Sequence, residues 1–115
     1  MLAKQYRFHG YGSLKFLYNK GSVTRARFCS LKYIANPRRQ DSRLAVVVAK
    51  KVSKKAPVRN RIRRRIYESA RLNWPMLKPG HDMIITVFDS SIADIPSSEL
   101  NKIITQLLHN AELFK

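Results

Sequence analysis

Four apolar residues spaced by four, Val58, Ile62, Ile66 and Ala70, run through a segment in which five of the seven residues from 59 to 65 are arginine. At about 100° per residue this spacing is one stripe of a helix, and an apolar stripe has to be buried against another layer. Asn60, Arg64, Tyr67 and Arg71 fall opposite the stripe. Arg59 and Arg63 flank one of its edges, Arg61 and Arg65 the other. Like charges three and four residues apart repel, and Glu68 is the one acid within the segment to offset them. The helix therefore needs a core on one side and an external polyanion on the others. Pro57 suits its first turn, where a missing N–H costs nothing. Trp74-Pro75 is the expected end, because a residue before proline disfavours helical geometry.

The remaining patterning supplies the core. Gly12-Ser13 marks the start of an earlier short helix, with Ser13 as N-cap, Leu14, Leu17 and Tyr18 on one face, and Gly21 as its stop. Residues 27–34 read as a strand, with Cys29, Leu31 and Tyr33 on one face and Phe28, Ser30, Lys32 and Ile34 on the other. The lysine-bearing face is expected to stay open. Residues 44–49 (LAVVVA) are apolar on both faces, which predicts a central strand. Residues 83–88 (MIITVF), after a Lys78-Pro79-Gly80 turn, predict another. Ser97 or its neighbour caps a last helix striped by Leu100, Ile103, Ile104, Leu107, Leu108 and Ala111. The expected fold is an α/β (α+β) two-layer sandwich of three helices and a sheet of about four strands, if a short strand forms near Val23.

Charge then bounds the function. The net charge is +16, with seven basic and no acidic residues in 1–37, thirteen basic and two acidic in 38–71, and a net of −2 from residue 72 onward. So uneven a distribution marks a dedicated polyanion surface rather than general solubility. The 115 residues and 44% hydrophobic content fit one domain, 1–115, and the charge makes nucleic acid its expected partner. No stretch reaches the roughly 20 apolar residues of a membrane helix, and the basic segments lack the wide apolar face of an interfacial one. A single cysteine, Cys29, excludes an intramolecular disulfide and points to a reducing cytoplasm. His9, His81 and His109 lack ligand spacing, Asp82, Asp89 and Asp94 lie in the least basic part of the chain, and no Gly-rich phosphate loop or nucleophile with an adjacent base exists. No metal site or catalytic residue is expected in the protein.

Two groups of residues are expected to face nucleic acid. Lys50, Lys51, Lys54 and Lys55 precede the arginine helix, and backbone N–H groups at its start are expected to assist phosphate binding. Arginine's planar fork suits bidentate phosphate contacts. Separately, seven of the eleven aromatic residues (Tyr6, Phe8, Tyr11, Phe16, Tyr18, Phe28 and Tyr33) lie in the acid-free first third, the combination that forms single-strand stacking platforms. Phe28, Ser30 and Lys32 are the better candidates; Tyr18 and Tyr33 sit on predicted core faces.

The run KKVSKKAPVRNRIRRRIYE resembles the signature of the bacterial ribonuclease P protein: a strand ending in two lysines, a short basic loop, then Arg-Asn-Arg, further basic residues and a Glu. Lys50, Lys51, Arg59, Asn60, Arg61, Arg63, Arg64 and Glu68 fill those positions. The helix ending at Gly21, the Phe28 strand and Asp82 opening the MIITVF strand extend the likeness over nearly the whole chain, although Leu14 stands where the family often has phenylalanine. The resemblance implies a left-handed crossover around the arginine helix. It also implies a protein subunit that assists RNA-catalysed removal of the 5′ leader of precursor tRNA, with Mg²⁺ held by the RNA. The partners it implies are ribonuclease P RNA, through Lys50, Lys51, Lys54, Lys55, Arg59, Asn60, Arg61, Arg63, Arg64 and Arg71, and the precursor tRNA leader, through Phe8, Phe16, Tyr18, Phe28, Ser30 and Lys32. DNA and membranes are not expected partners. Basic α/β character alone also fits a ribosomal or other structural RNA-binding protein; the Arg59-Asn60-Arg61 signature favours the first reading.

Overall fold

The structure, a computed structural model, describes residues 2–7 and 11–115, with the side chains of residues 11–13 left out. Three helices, α1 (Tyr11–Lys20), α2 (Ala56–Asn73) and α3 (Ser97–Asn110), accompany four strands, β1 (Ser22–Arg25), β2 (Cys29–Ala35), β3 (Arg43–Val48) and β4 (His81–Val87). The sheet order is β1-β2-β4-β3, antiparallel except for the parallel β3–β4 pair that α2 connects.

Strand alternation decides what each face carries. Leu31, Leu44, Val46, Met83, Ile85 and Val87 point to the side covered by α2 and α3, where they form the main core with Ile62, Ile66, Ile104 and Leu107. Ile62 and Ile66 are fully buried and Ala70 nearly so, as their spacing requires. Every residue of the α3 stripe is buried too. Burying groups of this size contributes about 1.5–3 kcal/mol each before entropy is counted. On the opposite face α1 lays Leu17 against Ala45 and Ile84, with Leu14, Ile34 and Val47 at the margin. The lysine-bearing face is therefore only partly open.

Several expectations are corrected. β3 is an edge strand rather than a central one; its residues are apolar on both faces because α2 covers one and α1 the other, and Arg7 adds a β-bridge to Leu44 along its free edge. α1 begins at Tyr11, which places Ser13 inside its first turn instead of at the cap. α3 begins at Ser97 behind Pro96, and no side chain caps it. α2 closes at Asn73, but Trp74 keeps helical dihedrals (φ −55°, ψ −45°) and opens a 3₁₀ turn with Pro75 and Met76. Phe28 is not in β2: it lies in the β1–β2 turn at φ 75°, a left-handed conformation uncommon for a residue with a Cβ. That turn rotates its ring onto the main core, so Phe28 does not share the face of Ser30 and Lys32. Gly21 does end α1, through close approach: a Cβ there would lie 2.7 Å from the Leu17 carbonyl oxygen.

Candidate nucleic-acid interface

With Ile62 and Ile66 inward, the α2 arginines divide into separate roles. Arg65 donates to the carbonyl oxygens of Ile92 (2.8 Å) and Ile95, and Arg61 donates through Nε to Ala93 O at 2.9 Å. These two side chains clamp the 3₁₀ turn Ser90–Ala93 to the helix. Arg59 donates to Ser53 O at 2.8 Å and fastens the β3–α2 loop. Arg63 donates to Asn60 Oδ1 at 2.8 Å. Arg64 is exposed, and no acceptor among the described residues takes its N–H groups. None of Arg59, Arg61 and Arg64 is tied to a carboxylate among the described residues. Arg71 is: it donates through Nε and a terminal nitrogen to Glu68, and this guanidinium holds the Glu68 carboxyl down to about 2. Arg71, expected to face RNA, is thus already paired on the surface.

Lys50, Lys51, Lys54 and Lys55 are all exposed in the β3–α2 loop, next to the start of the arginine helix. The backbone there offers less than expected. Pro57 has no N–H, and those of Val58 and Arg59 are already donated to Lys55 O at 3.1 and 3.2 Å. Cationic side chains, not the helix terminus, make this surface anion-seeking.

The second expected surface lies along α1. Phe16 is 57% exposed and Tyr18 38%, so Tyr18 is not the core residue its helical phase predicts. Lys32 reaches across from β2 to donate to Tyr18 O at 2.7 Å, with its ammonium 5.1 Å from the Tyr18 ring centre. It thereby places a cation at the carbonyl end of α1. Ser30 is half-buried on the same sheet face. Phe16 also borders a cleft of about 540 Å³ floored by Leu17 and Ile34 and closed by Arg43 and Asp82. Arg43 meets Asp82 with two bonds of 2.9 Å, and Asn36 adds a third at 2.9 Å. Burial pushes the Asp82 carboxyl up, but the bonds from Arg43 and Asn36 outweigh it and hold it below its ordinary value. Phe8 and His9 lie outside the described residues. No group of three metal-ligating side chains occurs among the described residues.

A basic helix, a lysine loop and a separate aromatic face on one mixed sheet now stand together. A protein-family model described as Ribonuclease P matches residues 2–112. The chain belongs to the ribonuclease P protein family. It is 32% identical over 114 residues to the ribonuclease P protein component of Pseudanabaena sp., covering 98% of this chain and 97% of that one. It is 40% identical over 74 residues to the component from Roseiflexus castenholzii, covering 64% of this chain. That match spans 60% of the Roseiflexus relative, and the corresponding match spans 57% of the Chloroflexus aurantiacus one. The fold is that of the ribonuclease P protein from Staphylococcus aureus (TM-score 0.84, 23% identity, 96% of this chain and 98% of that one). It is also that of the Thermotoga maritima protein (TM-score 0.80, 20% identity, 90% and 96%).

Within this ribonuclease P family fold, the signature residues Arg59, Asn60, Arg61, Arg63 and Arg64 share one helix, but their side chains are not equivalent. Sequence periodicity found the helix faces. It missed the clamp formed by Arg61 and Arg65, whose carbonyl partners are about thirty residues away in the chain. It also missed Arg7, which the bridge to Leu44 brings beside α2 with its guanidinium 5.7 Å from the Tyr67 ring centre. No local signal in the sequence places Arg7 there.

Proposed function

We propose that this chain is the protein subunit of ribonuclease P, a single RNA-binding domain that assists removal of the 5′ leader from precursor tRNA. One observation carries the reading: α2 buries Ile62 and Ile66 completely while Arg64 and the four loop lysines stand in solvent without carboxylate partners among the described residues. Such a surface lowers its self-repulsion by neutralising phosphates and releasing their counterions. In this reading Lys50, Lys51, Lys54, Lys55, Arg59, Asn60, Arg61, Arg63 and Arg64 hold the catalytic RNA, which carries the Mg²⁺ ions and performs the hydrolysis. Phe16, Tyr18, Ser30 and Lys32 then meet the precursor tRNA leader along α1 and the part of the sheet face that α1 leaves open. Phe28, packed on the opposite side, is left out of that group. The protein holds and positions RNA, and the cytoplasm, where a lone buried thiol stays reduced, is its compartment.

The test is cleavage of precursor tRNA by ribonuclease P RNA at near-physiological Mg²⁺, alone and with protein added. A gain in rate on adding protein is expected, together with no cleavage by the protein without the RNA. No gain refutes the subunit reading.

A further inference from the structure

Beside the outer face of α2 lies a shallow groove of about 560 Å³ lined by Arg7, Pro57, Asn60, Arg63, Arg64 and Tyr67. Three guanidinium groups converge on it, and no acid is in its lining. Its acceptors are already engaged. Asn60 Oδ1 takes the bond from Arg63, and the Tyr67 hydroxyl oxygen accepts the Val46 N–H at 3.2 Å. What remains is donors: the Asn60 amide N–H₂, the Tyr67 O–H and the arginine N–H groups. Arg7 is held over Tyr67 by ring contact and by its backbone bridge to Leu44, while its Nε is buried without a hydrogen-bond partner among the described residues. Three like charges lining one groove with no acid beside them repel, and an anion seated there offsets that repulsion. Phosphate oxygens are acceptors only, and arginine forks match them bidentately.

We infer that Arg7, Asn60, Arg63, Arg64 and Tyr67 form a phosphate seat shared between the N-terminal segment and α2, occupied by one phosphodiester of a bound RNA. The inference rests on the reading of the chain as a ribonuclease P subunit and extends it to a residue far outside the arginine signature. Arg7 supplies the side of the seat that α2 cannot, so the phosphate is gripped from two elements at once.

The full chain is titrated with inorganic phosphate while the Arg7 Nε–H and Asn60 side-chain amide signals are followed by NMR. Both signals are expected to move together and saturate, and Arg7→Gln is expected to weaken the Asn60 response. Signals that stay still, or move independently, overturn the seat; because this readout uses the unaltered protein, it decides even if Arg7→Gln fails to fold. In parallel, salt-dependent binding is measured separately with ribonuclease P RNA and with precursor tRNA. Arg7→Gln is expected to lower the log–log salt slope for one of them by about 0.7–0.9, the value of one lost phosphate contact. Arg7→Lys, which keeps the charge but loses the fork, should restore the slope without full affinity. Whichever RNA shows the change is the source of the phosphate, and an unchanged slope with both refutes the proposal. A protein that passes these tests yet leaves precursor cleavage unaffected would sink the subunit reading alone.

Discussion

Arg64 and Arg65 are chain neighbours of the same type with opposite surroundings, and replacing each with glutamine separates binding from folding. Arg65 spans the carbonyl oxygens of Ile92 and Ile95. A hydrogen bond from a charged donor contributes roughly 1.5–3 kcal/mol. The glutamine amide ends short of the terminal nitrogens that make both bonds, and water filling the gap recovers part of the loss, so Arg65→Gln should cost about 2 kcal/mol. At roughly 4 °C per kcal/mol for a chain of this size, the melting temperature falls by about 8 °C. Arg64 has no such bonds among the described residues and is exposed. Its replacement should leave stability within about 0.5 kcal/mol. Binding behaves the other way. Losing one phosphate contact flattens the log–log salt slope by about 0.7–0.9, equivalent to about a 5–8-fold weaker complex at 0.1 M salt relative to a 1 M reference. Thermal melts by circular dichroism and filter binding of ribonuclease P RNA across a salt series read both quantities. If the two variants lower stability equally, or both flatten the slope equally, the division of labour along α2 is wrong.

Two further outcomes follow from buried groups. Asp82→Asn removes the carboxylate from the two-bond pair with Arg43, whose side chain is only 17% exposed, and should cost about 3 kcal/mol in urea unfolding at pH 7, the low end for a disrupted buried pair because asparagine keeps one acceptor. The Asp82 carboxyl is lowered in the folded state, so its contribution is complete above its ordinary value of about 3.9 and is lost as pH falls through the lower folded value. The gap between the two proteins should therefore narrow on acidification, and a gap that widens in acid refutes the sign. Burial pushes the Cys29 thiol up to about 12. Alkylation at pH 8 should then run about a thousandfold slower in the native protein than in urea, following the thiolate fraction; equal rates refute its burial.

Legibility in the sequence tracked the range of the interactions involved. The α2 and α3 stripes were readable because burial on a helix imposes its period on nearby residues, and Ile62, Ile66, Ile104 and Leu107 obey it. The position of β3 was not, because edge or centre is decided by the register Leu44↔Met83 to Val48↔Val87 across a long crossover, not by composition. Phe28 escaped the alternation rule because the turn between β1 and β2 uses it at positive φ, where glycine would have announced the bend. The charged surface was visible as a count of arginines. Which of them also bond within the protein was not, since Arg61 and Arg65 donate to carbonyls that only the tertiary fold brings near.

The place of β4 in the sheet carries a consequence for synthesis. It lies between β2 and β3 yet follows both along the chain. During vectorial translation those two strands have no common partner until residue 87 has emerged, and the layer that covers them closes only with Leu107 and Leu108. By residue 71, twenty of the twenty-three lysines and arginines have left the exit tunnel. The nascent polypeptide therefore meets cellular polyanions with most of its positive charge exposed before its four-stranded sheet can close.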